Sequence, residues 1–305
     1  MAFFNALPGA VAEGLIWGLM AIGVYISYKI LDIADLTVDG SICTGGCVCA
    51  VLIAMGVPVW LAMVLAFLAG MVTGVVTGLF HTALGIPAIL AGILTQLILY
   101  SVNLTILDGK SLMTIDPRAN DLVVHMSENV PAVITLVILA AAMVVCLWLF
   151  FYTEVGLTLK STGDNPNMSR AQGVDVKFNK VLGLSISNGI VALAGALLAQ
   201  YKGSANINDG RGAIVIGLAA IFIGLSVSLK IKPNFVVSLI GVLAGGVVYF
   251  IIYNFVILMG LDTSYLKMLS AIIVVVFLAV PYVKGEYFQK RKSILPEVGG
   301  GEGNA

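Results

Sequence analysis

The chain has 305 residues, 60% of them hydrophobic and 10% charged, with 16 basic residues balancing 16 acidic ones and a mean hydropathy of +1.06. A soluble domain keeps roughly a quarter of its residues charged, so this composition excludes one and points to an integral membrane protein. The expected fold class is an all-α, polytopic membrane helix bundle of eight to ten transmembrane helices; lipid is the expected solvent and no nucleic-acid partner is expected.

Nine spans are predicted, at 9–30, 41–57, 59–80, 86–106, 131–152, 181–200, 212–229, 234–257 and 264–283. The first carries Gly14 and Gly18 one turn apart, a spacing that lets helices approach closely. Its first basic residue is Lys29, so no charged region precedes the apolar run, and the segment is expected to stay in the membrane rather than be cleaved. Next comes Leu31-Asp32-Ile33-Ala34-Asp35-Leu36-Thr37-Val38-Asp39-Gly40-Ser41, three carboxylates between two apolar spans. Two roles are open to it. It can be a cytoplasmic turn, with Thr37 or Asp39 capping the second helix. Alternatively it is a partly inserted break in which Asp35, Thr37, Asp39 and Ser41 border a translocation pathway, because carboxylates near the bilayer interior are costly enough to imply a task.

Between Asp39 and Asp108 there is no Asp, Glu, Lys or Arg, and at about 20 residues per span that stretch can cross a bilayer three times. Cys43, Cys47 and Cys49 lie in the second span, with Cys43 and Cys47 on one helical face. A thiolate metal site would need a fourth ligand and deprotonated sulfurs in an apolar span, so the three are read as small packing residues and no metal is expected. Gly70, Gly74 and Gly78 form a packing stripe on the third span. Breaks are predicted at Gly56-Val57-Pro58 and from His81 to Pro87. The continuous apolar run from Pro131 to Tyr152 must satisfy its own backbone in hydrocarbon, which favours a helix over a barrel strand.

Glu154 to Lys180 is the longest polar stretch between spans. Asn165 can cap a short helix with Pro166 in its first turn and Gly173 as its stop. Such a helix, held between two spans, can act as a lever; the plain alternative is a connecting loop. The run from Gly212 to Ser228 is short, and reads either as a span or as a re-entrant or broken segment. Residues 286–305 are too polar and glycine-rich to pack and are expected to form a disordered cytoplasmic tail, leaving 1–285 as one transmembrane domain without a visible internal repeat.

Cations set the expected orientation. Lys160, Arg170, Lys177 and Lys180 share one loop, Lys230 and Lys232 another, and Lys284, Lys290, Arg291 and Lys292 the tail. Nine alternating spans put all of these and Lys29 on one face, with the acidic loop 108–130 on the other, so the amino terminus is expected outside and the carboxyl terminus inside. The two histidines, His81 and His125, do not assemble a nucleophile, a base and an orienting group, and no phosphate-cradling loop occurs. No catalysis and no bound cofactor are therefore expected, and any ATP is used on another chain.

Two of these stretches carry a family resemblance. Gly163-Asp164-Asn165-Pro166 followed by Ala171-Gln172-Gly173-Val174 resembles the coupling segment of permease subunits of bacterial ABC importers, in the class that includes branched-chain amino-acid and ribose permeases. Asp35-Leu36-Thr37-Val38-Asp39-Gly40-Ser41 is similar to the branch associated with amino-acid importers, including those for aromatic amino acids. The Ala- and Gly-rich run Ser187 to Gln200 also fits, so the likeness spans residues 10–283; the three cysteines after Ser41 depart from it, standing where small apolar residues are expected. The resemblance implies a permease in the bacterial inner membrane that forms the pathway for a small solute, an amino acid before a sugar or nucleoside. It implies a second permease copy or paralogue, cytoplasmic ATPases and an extracytoplasmic binding protein. Gly163, Asn165, Pro166, Arg170, Ala171 and Gly173 would then belong to the coupling segment. A secondary transporter or membrane-embedded enzyme would instead bury its polar residues in the spans.

Overall fold

A computed structural model describes residues 2–116, 122–126, 129–228 and 234–258, with isolated positions between 268 and 279. The predicted ninth span, the basic pair Lys230 and Lys232, and the tail lie outside the described residues apart from those positions. The elements run α1 (Ala2–Tyr25), a π-helical turn (Ile26–Ile30), α2 (Val38–Ala54), α3 (Val59–Thr82), α4 (Ala88–Ile106), β1 (Leu112–Thr114), α5 (Asn129–Phe151), α6 (Glu154–Asp164), α7 (Pro166–Ala171), α8 (Val176–Lys202), β2 (Ser204–Asn206), α9 (Ala213–Ser228) and α10 (Phe235–Leu258). Among the described residues six helices are long and apolar enough to cross a membrane, while Val38–Ala54 and Ala213–Ser226 are shorter apolar helices. The chain is a polytopic, all-α membrane bundle.

α8 is its axis. Asp175 starts it, the side chain accepting from the N–H groups of Lys177 and Phe178, and Gly203 ends it in the left-handed conformation at φ 66°. α1 runs antiparallel to it: Gly9 O accepts from Tyr201 at one end, and Gly23 O accepts from Ser187 Oγ at 2.7 Å further along. α3 is antiparallel too, because Gly70, Gly74 and Gly78 press on Asn188, Leu184 and Val181 in turn. At Gly74 a Cβ would strike the Leu184 carbonyl, so the stripe read from sequence is a backbone-to-backbone seam.

α2 is not a full span from one face to the other. It lies parallel to α8, with Ser41 beside Asn188, Gly45 on Ala192 and Cys49 near Gln200. Its start is therefore level with the middle of α8, about 18 Å past Val176 at 1.5 Å per residue. The chain reaches that depth through the segment 31–37, entered by way of Asp32 at φ 54°. α9 starts next to the beginning of α2 and runs the other way, with Gly217 on Val24 and Met20 and Gly224 on Gly241. The predicted run at 212–229 is thus a short, continuous helix that starts inside the bundle: β2 pairs antiparallel with β1, and residues 207–212 return inward before α9 begins.

An inverted repeat, invisible in the sequence, follows from these contacts. α1, a break, the shorter helix α2 and α3 are matched in opposite direction by α8, a break, the shorter helix α9 and α10. α3 lies on α8 as α10 lies on α1, where Val247 closes on Gly14 and Leu243 on Gly18. The halves interlock, α2 packing against α8 and α9 against α1.

Candidate functional site at the junction of the half-helices

Asp39, in the first turn of α2, reaches across to α9. Its two carboxylate oxygens accept from Ile214 N and Gly212 N, each at 2.9 Å. The first N–H groups of a helix lack intrahelical partners and carry the positive end of its dipole, so a carboxylate is the fitting partner for them. Asp39 therefore caps α9. Thr37 occupies the cap position of α2 but makes no side-chain cap bond. Capping of α2 by Thr37 or Asp39, one of the two roles open from sequence, is corrected accordingly.

Behind Asp39 lies a closed polar network. Asp35 Oδ1 accepts from Thr37 N at 2.9 Å and Oδ2 from Asn188 Nδ2 at 2.6 Å. Ser41 donates to Asn188 Oδ1 at 2.6 Å and pairs with Thr73 Oγ1 at 2.7 Å, while Thr37 and Thr77 pair at 2.7 Å. All six residues are buried. Because the segment 31–37 has left helical geometry, its polar groups need partners inside the protein, and the network supplies them. Of the four residues expected at a pathway, Asp35, Thr37 and Ser41 thus face inward, and Asp39 alone lines a cavity.

That cavity holds about 350 Å³ and is bounded by Asp39, Gln96, Tyr100, Asn103 and Arg211. Asn103 is 1% exposed, and its amide oxygen has no hydrogen-bond partner among the described residues. Sequence reading missed Asn188, Gln96, Asn103 and Arg211. An amide or a charge inside an apolar run was the available signal, since such groups are expensive in a bilayer. Cys43 sits at the rim, its sulfur accepting from Gly210 N at 3.0 Å and donating to Ile207 O at 3.3 Å.

The second predicted site lies at the start of α8, away from the first. Asn165 caps α7, its Oδ1 accepting from Asn167 N and Met168 N at 3.1 and 3.0 Å, with Pro166 at the first position. Gly173 ends the turn at φ 83° with open space around it, and Arg170 and Ala171 are exposed. Ser169 bonds back to Ser161, and Asn179 at the start of α8 donates to Thr162. Gly163 packs so closely that a Cβ there would strike the carbonyl of Ile30, the last residue of the π-helical turn that follows α1. α6, which leads directly into α7, is therefore in contact with the residue that precedes the break carrying Asp35 and Asp39.

Broken helices that meet at mid-depth in a polytopic bundle, with one structured polar segment at an end, define a membrane transport subunit. Residues 9–278 match the family described as branched-chain amino acid transport system / permease component, and the chain belongs to that family. It is an ABC importer permease, not an enzyme, and membership implies an ATPase and a binding protein as partners. Among its relatives, a tyrosine transport system permease protein of Clostridioides difficile is 34% identical, covering 96% of this chain and 97% of its own. A ribose import permease protein of Haemophilus influenzae is 22% identical over 85% of this chain and 79% of its own. An autoinducer 2 import system permease protein of Escherichia coli is 28% identical over 58% of this chain and 52% of its own. No solved structure matches.

Proposed function

We propose that this chain, paired with a second copy or paralogue in the bacterial inner membrane, forms the pathway for an amino acid delivered by an extracytoplasmic binding protein. Its amino terminus lies outside and its carboxyl terminus inside. The observation that carries the mechanism is the contact of Gly163 with Ile30, which joins α6, the helix leading into α7, to the broken segment. A groove of the ATPase takes the exposed face of α7 around Arg170 and Ala171, and its ATP-driven closure pushes α6. The push arrives at the end of the π-helical turn through Gly163 and at the start of α8 through the bond from Asn179 to Thr162. Segment 31–37 cannot absorb it locally, since Asp35 and Thr37 are tied to α8 and α3. The displacement therefore loads the bonds from Asp39 to α9, the latch between the two halves. Asp39 borders the pathway, with Gln96, Tyr100 and Asn103 across from it; Asp35, Thr37 and Ser41 hold it from behind. The amino-acid substrate is supported by the tyrosine-system relative, which is more similar and covers more of both chains than the ribose relative.

Proteoliposomes containing the permease, its ATPase and its binding protein test this. ATP-dependent uptake of labelled tyrosine or leucine is the expected result. Preferential uptake of ribose or a nucleoside would replace the amino-acid reading, and uptake without the ATPase would make the chain a secondary transporter.

A further inference from the structure

A second cavity, about 550 Å³, lies where α1, the end of α8, the start of α9 and α10 converge. Its size is within the roughly 300–1,000 Å³ of small-molecule sites. Glu13 lines it and is the one charged residue of α1, a placement that in a membrane helix is costly and marks a site by default. Lys202 and Asp209 also line it but are paired with each other at 3.5 Å, and Asp209 further accepts from Asn206 N. Glu13 and Arg211 are different: among the described residues neither side chain makes a hydrogen bond or an ion pair within 4 Å, although Lys202 lies near enough to Glu13 to act on its charge. The remaining wall is aromatic. Trp17 and Phe250 stack with centroids 5.9 Å apart, and Tyr253 stands 5.7 Å from Phe250. Arg211 also lines the cavity beside Asp39, so the two spaces share a residue.

We infer that this cavity is a transit subsite for an α-amino acid with an aromatic side chain, the ammonium at Glu13, the carboxylate at Arg211 and the ring among Trp17, Phe250 and Tyr253. The inference rests on the amino-acid reading above and deepens it. A neutral sugar entering here would strip water from two opposite charges and pair neither, a cost that a zwitterion avoids by pairing both. The rings supply stacking and edge contacts to an aromatic group and little to a branched aliphatic one.

The test uses the purified permease–ATPase complex without its binding protein. With Trp60→Phe and Trp148→Phe, Trp17 becomes the sole tryptophan of this chain, and its emission, taken as the difference from the same complex carrying Trp17→Phe, is titrated with L-phenylalanine, phenethylamine, 3-phenylpropionate, L-leucine and ribose. Saturable quenching or shift by L-phenylalanine is expected, with either single-charge analogue at least about tenfold weaker, the size of one lost charge-assisted contact, and L-leucine weaker for want of the ring contacts. Glu13→Gln should weaken phenylalanine about tenfold and leave 3-phenylpropionate unchanged. Arg211→Gln should weaken phenylalanine likewise and leave phenethylamine unchanged. A flat response, or equal responses to all ligands, overturns the subsite, and the ligand series decides this even where a charge variant fails to assemble. If the whole importer takes up amino acids while Trp17 stays silent, only the subsite falls. If it takes up only ribose, the substrate reading falls with it.

Discussion

Asp39 holds two backbone N–H groups at once, and a neutral amide has only one oxygen with which to do so. In Asp39→Asn the amide nitrogen would face a second donor at the start of α9, leaving one N–H unpaired in a part-buried site. A hydrogen bond to a charged group contributes about 1.5–3 kcal/mol, so uptake through the reconstituted importer should fall by about tenfold or more, with a lower unfolding temperature of the complex. Parental uptake and stability in Asp39→Asn would remove the latch. Asn188 is a sterner case because its amide donates to Asp35 and accepts from Ser41. Asn188→Leu leaves one oxygen of a buried carboxylate without its partner, a loss of about 1.5–3 kcal/mol for a hydrogen bond to a charged group, and takes the acceptor from Ser41 as well. Its expected outcome is little folded protein, read as recovery on size exclusion in detergent. Recovery equal to the parent would mean that the network does not hold α2 in place.

Elements differ in how far they can be read from sequence, and the reason is physical. The full-length spans were legible because length and an uninterrupted apolar run are what a bilayer demands, and 59–80 against Val59–Thr82 or 234–257 against Phe235–Leu258 differ by little. α7 was legible for a local reason: Asn165, Pro166 and Gly173 act on their own backbone. The shorter α2 was not, since an apolar run looks the same whether it starts at the membrane surface or in the middle. What places it is Asn188 and Thr73, far away in sequence. Asp39 was visible as a costly charge, but its partner on α9 was not. The same contrast yields a prediction for two glycines of one segment. Gly163→Ala drives a Cβ into the Ile30 carbonyl, whereas Gly173→Ala meets open space and bears only the strain of φ 83°. Overpacking costs about 1–3 kcal/mol and a left-handed residue about 1–2 kcal/mol, but only the first moves α6 away from the π-helical turn. In proteoliposomes Gly163→Ala should lose most uptake while the complex still assembles and hydrolyses ATP. Gly173→Ala should keep at least about half of the parental uptake, since its strain stays local. Equal behaviour of the two would detach the lever from the break.

For the whole molecule, the two ends of the bundle differ in their number of Lys and Arg residues, and the difference argues for an orientation even though Asp32, Glu154, Asp164 and Asp175 share the more basic end. The π-helical turn, the helices α6 and α7 and the start of α8 bring Lys29, Lys160, Arg170, Lys177 and Lys180 together. The other end holds the small sheet, with Lys110, Lys202 and Arg211 set among Asp108 and Asp209. Short loops rich in Lys and Arg stay in the cytoplasm, so the α7 end should face inward. An inverted repeat makes the number of Lys and Arg residues the feature that distinguishes the ends, because the backbone traces of the two halves run the same course in opposite directions. Thiol labelling decides the matter with one native residue removed: Cys43, Cys47 and Cys49 are buried, and Cys146 is exposed. Ser169 is a poor reporter at 2% exposure, whereas Met168 beside it is 60% exposed and Met126 at the opposite end 59%. In a Cys146→Ala background, Met168→Cys should resist an impermeant maleimide in intact spheroplasts and react once they are lysed. Met126→Cys should react in both. Reaction of Met168→Cys from outside would invert the molecule, put the ATPase-facing helix on the wrong side, and take the proposed coupling route with it.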